Sequence, residues 1–171
     1  MKQESQQGIP ETIKLFKFAA KGLIFSQQYQ VKDFPRISEL ASNAESPVAV
    51  KVNFSLAEGR IPCIKGEVKL DLALTCQRCL NEVSVHLTPK FQLAFLKNEQ
   101  QGDKLDNRFE TILNADEEFS TIEFITDEVL ISVPMTPMHE HECASYQDTL
   151  PVEELKRENP FAILEQLKNK K

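Results

Sequence analysis

Cys76-Gln77-Arg78-Cys79 is the pattern with the clearest chemical content in this chain. Two thiolates three residues apart on a tight turn can face one metal ion, and zinc suits such a pair because it favours sulfur and imidazole ligands in a tetrahedron. One pair supplies half of that site. His139-Glu140-His141-Glu142-Cys143 carries donors for the other half, which makes Cys76, Cys79, His139 and Cys143 the candidate zinc ligands. Fifty-nine residues lie between Cys79 and His139, so the set closes only if two loops meet at one end of the fold. Leu80 stands where a zinc turn usually has Gly. The plainer alternative is that Cys76 behaves as a small buried apolar side chain. A redox pair would need a helix N-terminus behind it to stabilise the thiolate, and the residues after Cys79 read as a strand. Cys63 falls on the polar parity of its strand and is expected to be incidental.

Other constellations are weaker. The five glycines, Gly8, Gly22, Gly59, Gly66 and Gly102, build neither a dinucleotide fingerprint nor a P-loop, and no G-x-S-x-G or H-E-x-x-H occurs. Asp116, Glu117, Glu118, Asp127 and Glu128 are hard-cation donors by type. Neighbouring carboxylates do not converge on a helix, so capping and a solvated face explain them better. Lys65, Lys69 and Lys90 share the outward parity of a sheet, with Arg78 at its tip, and are the candidate RNA-phosphate contacts. Charge alone favours an ordinary mixed face there, because Glu67 and Asp71 lie between them. Phe54, Phe91 and Phe95 fall on the buried parity, whereas base-stacking platforms must be exposed. No active-site constellation emerges, and the chain is expected not to be an enzyme.

The elements that position these residues are legible in the middle. Ile64, Val68, Leu70, Leu72, Leu74 and Cys76 alternate with Lys65, Glu67, Lys69, Asp71 and Thr75, which is a strand with one buried face. Val83, Val85, Leu87, Phe91, Leu93 and Phe95 form a second, bent at Pro89, which lacks a ladder donor. Residues 77–81 are then a hairpin turn. Val50, Val52, Phe54 and Leu56 precede them as a third strand. Helices are expected over Glu11 to Ala20, Phe34 to Ala44, and Ile122 to Val133, the last behind a Ser120-Thr121-Ile122-Glu123 capping box. Asn159-Pro160 opens one more, over Phe161 to Leu167. The expected fold class is α+β: an antiparallel meander, or a small partly closed sheet or barrel, with flanking helices at the N-terminus, near 120–133 and at the C-terminus. A single domain over 1–171 is expected, with a helical arm at 1–46, a sheet core at 47–97, acidic loops and a helix at 98–158, and a C-terminal helix at 159–171.

The chain has 171 residues, 41% hydrophobic, with a net charge of −6. That apolar fraction supports a real core. Charge is uneven: residues 98–158 hold four basic and sixteen acidic groups, a balance of −12, while residues 1–36 hold six basic and three acidic. Nucleic-acid contact is therefore expected from the front half or the tail. No apolar run approaches the ~18 residues of a membrane span, and the polar start lacks a secretion signal. A cytoplasmic protein with reduced thiols is expected.

Val68-Lys69-Leu70-Asp71-Leu72-Ala73-Leu74-Thr75 running into the C-x-x-C, then Asp127-Glu128-Val129-Leu130-Ile131-Ser132-Val133-Pro134, Pro137-Met138-His139, Cys143 and Asn159-Pro160-Phe161-Ala162-Ile163-Leu164, resembles the YceD family. Those bacterial and plastid proteins are named for large ribosomal RNA subunit accumulation. The resemblance implies a ribosome-biogenesis factor needed for synthesis, processing or stability of large-subunit (23S) ribosomal RNA, acting by binding. It maps a C-x-x-C onto Cys76 and Cys79 and a proline–histidine–cysteine region onto Pro137, His139 and Cys143, and it transfers no catalytic residue. The implied partner is precursor large-subunit RNA, a basic large-subunit ribosomal protein, or both, with no membrane and no small-molecule substrate. The alternatives are an acidic, chaperone-like holder of such a basic protein, or a zinc-stabilised interaction module.

Overall fold

The computed structural model describes residues 8–113 and 116–144. By its internal contacts the chain divides into two units, Met1–Glu140 and His141–Lys171. The elements below all belong to the first. The helix expected at 159–171 lies outside the described residues.

A six-stranded sheet forms the body. Its central path runs β2 (Ile24–Gln30), β3 (Pro47–Ala57), β4 (Ile61–Thr75), β6 (Lys90–Leu96) and β7 (Glu110–Leu113), while β5 (Glu82–Leu87) pairs with the far half of β4. All neighbours are antiparallel except β6 and β7. The sheet ends at β2 and β7 and does not close into a barrel. Strand alternation sets its two faces: Val48, Val50, Val52, Phe54, Ile64, Val68, Leu70, Leu72 and Leu74 are all buried. The expected second strand is two strands, because Thr88 and Pro89 interrupt it. The break is spanned by Val68 N–H, which donates to the Pro89 carbonyl at 3.0 Å.

The N-terminal segment differs from a helical arm. Its helix α1 (Leu15–Lys21) starts four residues later than expected, because β1 (Thr12–Lys14) pairs with β8 (Glu118–Ser120) more than a hundred residues away. α1 ends at Gly22, whose φ of 61° is left-handed and suits a residue without Cβ. Phe18 on α1 then meets Phe25 at a tilt and Phe54 edge-on, with centroids 5.4 and 5.3 Å away. Residues 24–30 form an edge strand, not helix. The next helix, α2 (Pro35–Ser38), is a single turn rather than a run to Ala44. Ser42 and Asn43 leave it to bond β4: Asn43 Nδ2 donates to the Asp71 carbonyl at 2.8 Å, and Ala73 N–H donates to Asn43 Oδ1 at 2.9 Å.

Residues 98–113 are more ordered than a long loop. They hold a 3-10 turn at Glu99–Lys104 and β7. Leu105 and Phe109 pack on a second small core of Ile61, Cys63, Ala94 and Leu96. Cys63 is therefore no bystander on a wet face; it is fully buried beneath this covering segment. α3 (Thr121–Ser132) is the long helix. Ser120 caps it by accepting from Glu123 N–H at 3.4 Å, and Ile125 and Val129 are buried. The acidic run ahead of it feeds β8, where Glu118 pairs with Lys14 at 3.1 Å.

Candidate metal centre

The hairpin joining β4 to β5 closes through Cys76 N–H donating to the Asn81 carbonyl at 2.8 Å and Leu80 N–H donating to the Cys76 carbonyl at 2.9 Å. Leu80 has a φ of 62°. The turn thus takes the left-handed backbone that Gly would supply, with Leu carrying the strain on an exposed side chain. The departure noted in the sequence is one of residue type and not of conformation.

Three donors converge on this turn within the first unit. Gln77 N–H donates to the Pro137 carbonyl at 2.8 Å, and the Arg78 guanidinium donates to the His139 carbonyl at 2.8 Å, which brings residues 137–139 to the tip. Both thiol sulfurs and a ring nitrogen of His139 lie within 4.8 Å of one another. Ligands of a tetrahedral zinc sit about 3.5–3.8 Å apart, as metal–ligand bonds of 2.0–2.3 Å require, so a small contraction would close the set. His139 Nδ1 is 3.5 Å from Cys79 Sγ, and Nε2 is 3.0 Å from the Glu82 carbonyl. A carbonyl only accepts, so Nε2 carries the proton and Nδ1 presents its lone pair to the thiols, the orienting bond that metal-bound imidazoles commonly have.

The Cys76 thiol differs from that of Cys63 in electrostatics. Burial pushes the Cys76 thiol up, but the backbone N–H groups of Cys79, Arg78 and His139 and the Cys79 thiol hold it down, to about 5. The Arg78 N–H donates to Cys76 Sγ at 3.5 Å. Cys76 is a thiolate at neutral pH, the form that binds metal. Burial pushes the Cys63 thiol up instead, which keeps it a neutral core side chain. The fourth expected ligand, Cys143, is half-buried and belongs to the second unit.

The expected phosphate contacts divide. Lys65, Lys69 and Lys90 are exposed on the outward sheet face, while Arg78 is engaged at the tip. Glu67 stands among the lysines, 3.4 Å from Lys90 and 3.9 Å from Lys69, and Lys65 lies over the Phe109 ring at 4.9 Å. The register adds Lys51, which pairs directly across from Glu67 and lines a depression of about 300 Å³ with Gln28 and Lys69. Lys51 has the same outward parity in the sequence; only the register between strands was missing. Also unforeseen is a chain of Asp71, His86 and Thr88: Asp71 Oδ1 is 2.7 Å from His86 Nδ1, and Thr88 Oγ1 is 3.2 Å from Nε2. Its order mimics an acid–base–hydroxyl triad, but all three groups are exposed to partly exposed on the sheet, and it acts as a cross-strand pair. Among the described residues no helix is long and apolar enough to cross a membrane.

An open α+β sheet whose hairpin tip gathers two thiols and an imidazole is the class of protein these observations define. Residues 64–168 match the family described as large ribosomal RNA subunit accumulation protein YceD. The chain is 32% identical over 169 residues to the large ribosomal RNA subunit accumulation protein YceD of Haemophilus influenzae, covering 95% of this chain and 97% of that one. No solved structure matches it. The chain belongs to the YceD family.

Proposed function

We propose that this protein is a cytoplasmic ribosome-biogenesis factor that supports accumulation of large-subunit ribosomal RNA by binding, not by catalysis. The name of its Haemophilus relative supplies the process. The observation that carries the mode of action is the outward sheet face, where Lys51, Lys65, Lys69 and Lys90 outnumber the carboxylates of Glu67 and Asp71. With no exposed aromatic platform between them, these lysines suit phosphate contact that tracks the backbone of RNA without reading bases. Zinc at the hairpin tip is part of this reading, with Cys76, Cys79 and His139 as ligands and Cys143 as the fourth. A spacing of four residues after His139 lets the chain return to the same ion. Four protein ligands leave no open position, so the ion is structural.

Three measurements test the proposal. A strain lacking the gene should show depleted large subunits and altered precursor RNA on a gradient, and a normal profile would overturn the process. Gel shifts of precursor large-subunit RNA should show binding at low salt that weakens as salt rises. Absence of any shift at low salt would remove direct RNA contact. Metal analysis of protein never exposed to nickel should find about one zinc per chain; a content near zero removes the metal.

A further inference from the structure

A cavity of about 260 Å³ opens on the other side of the first unit, where α3 and β8 meet β6 and β7. Its walls are the rings of Phe95, Phe119 and Phe124, and its rim carries the carboxylates of Asp116, Glu123 and Asp127. The rings form a continuous surface: Phe95 and Phe119 are stacked with centroids 6.0 Å apart and planes 23° apart, and Phe124 lies 5.4 Å from Phe119. Phe124 is steadied in turn by Phe91, edge-on at 5.5 Å. Asp127 pairs with Arg36 at 2.5 Å. Among the described residues no cation pairs with Asp116 or Glu123.

Aromatic faces are electron-rich, and a carboxylate rim adds full negative charge above them. Together they suit a cation with a flat, weakly hydrated head, which stacks on the rings while its N–H groups reach the rim. Guanidinium meets that description better than ammonium. The surroundings repeat the sign: burial, then the charges of Glu110 and Asp127, push the neighbouring Glu128 carboxyl up. Ile131, one turn beyond Asp127 on α3, is 82% exposed and gives an apolar surface for an aliphatic stem. RNA is excluded from such a site by its own charge.

We infer that this cavity is a docking site for an arginine side chain presented by a basic polypeptide segment, separate from the lysine face. The site does not rest on the RNA reading and would stand if that reading failed. The molecule then offers opposite signs on different surfaces, one for phosphate and one for a cationic protein.

The test titrates the full-length chain with the capped decapeptide acetyl-(Arg-Ala)5-amide and with the same peptide carrying citrulline, which keeps shape and loses charge. Aromatic NMR signals of Phe95, Phe119 and Phe124 should shift with the arginine peptide and stay put with citrulline. Asp116→Asn with Glu123→Gln, both at exposed positions, should weaken the arginine peptide about tenfold, the fall expected when two of three rim charges go. Phe119→Leu keeps the rim and removes the ring that joins the other two; it should weaken the peptide at least about threefold. Thermal unfolding of each variant confirms that it is folded, and Phe124→Leu replaces Phe119→Leu if that one is not. Unchanged affinity in the rim variant overturns the proposal. So does loss in the rim variant with no loss in the ring variant, which would reveal diffuse charge attraction without a cavity. Equal binding of the citrulline peptide overturns it as well.

Discussion

Replacing Glu67 by Gln tests the lysine face without removing any lysine. Glu67 lies in one cross-strand row with Lys51 and Lys90 and also reaches Lys69, at 3.4 Å from Lys90 and 3.9 Å from Lys69. With Lys65, four lysines lie around this carboxylate, and Asp71 stands two residues beyond Lys69 on the same outward parity. Single-stranded RNA binding falls with salt at a slope of about −0.7 per phosphate neutralised, so removing this one negative charge should steepen the slope of the Gln variant by about 0.7. That difference raises affinity about fivefold at 0.1 M salt. The pairs lost are exposed on the lysine side and hold less than about 1 kcal/mol each, so the fold should survive. Filter binding of a single-stranded fragment of precursor large-subunit RNA, from about 0.05 to 0.3 M salt, reads both quantities. Glu45→Gln makes the same charge change beside Lys32, away from this row, and should leave the slope unaltered. Equal slopes for Glu67→Gln and the parent, or equal gains from both substitutions, would refute local phosphate contact.

Gly66→Ala should destabilise the protein by about 1–3 kcal/mol in urea unfolding, the range for overpacking. An added Cβ would fall inside the Phe91 ring, with two ring carbons 2.5 and 2.8 Å away, and Phe91→Leu in the same chain should recover part of the loss. Leu80→Gly should stabilise by up to about 1 kcal/mol, because it removes left-handed strain from a side chain that is already exposed. Glu128 is an acid whose folded pKa is raised, so its contribution is fully present below the usual 4.5 and is lost as pH rises through the folded value. Glu128→Gln should therefore be the more stable protein at pH 7, by about 0.5 kcal/mol for one screened half-buried charge, and the gap should close below pH 4.5 in thermal melts. Cys79→Ser, or chelation of the parent, should release zinc and speed amide exchange at Cys76 and Leu80, whose N–H groups close the turn.

What could be read from the sequence was what depends on neighbours along the chain. The alternation from Ile64 to Cys76 names one face of β4 outright, since burial of one side of a strand imposes period two. β2 escaped because IFSQQYQ is a polar edge strand, with only Phe25 fully buried, so its alternation is faint. α1 began late because Thr12 and Ile13 are claimed by β8, a pairing that no local rule contains. The same holds for α2, where Asn43 exchanges two hydrogen bonds with β4 and ends the helix early. Cys63 was misread because parity reports facing, and facing means exposure only where nothing covers the sheet. In the metal centre, Cys76 and Cys79 needed only spacing, whereas the approach of His139 depends on the bonds from Gln77 to Pro137 and from Arg78 to His139. The aromatic cavity draws its rings from β6, β8 and α3, and no spacing within one element announces it.

The place of the metal donors follows from the length of β4. Its fifteen residues outrun their neighbours: pairing to β3 stops at Leu70 and pairing to β6 spans Cys63 to Glu67. From Asp71 to Thr75 the strand has only β5 beside it, and an isolated two-stranded ribbon is marginal in water. The chain answers this at both open sides. Asn43 and Ser42 take backbone bonds that a further strand would otherwise make, at 2.8–3.0 Å from Asp71 and Ala73. At the far end His139 accepts the role of a clasp, bonded to the Glu82 carbonyl on β5 and facing Cys79 across the turn. An ion joining Cys76, Cys79 and His139 would fasten both strands of the ribbon to the segment after α3, which hydrogen bonds from Gln77, Arg78 and His139 already hold to the tip. The same strand carries Lys65, Glu67 and Lys69 outward, so a clasp on its end also steadies the register that sets those charges in their rows.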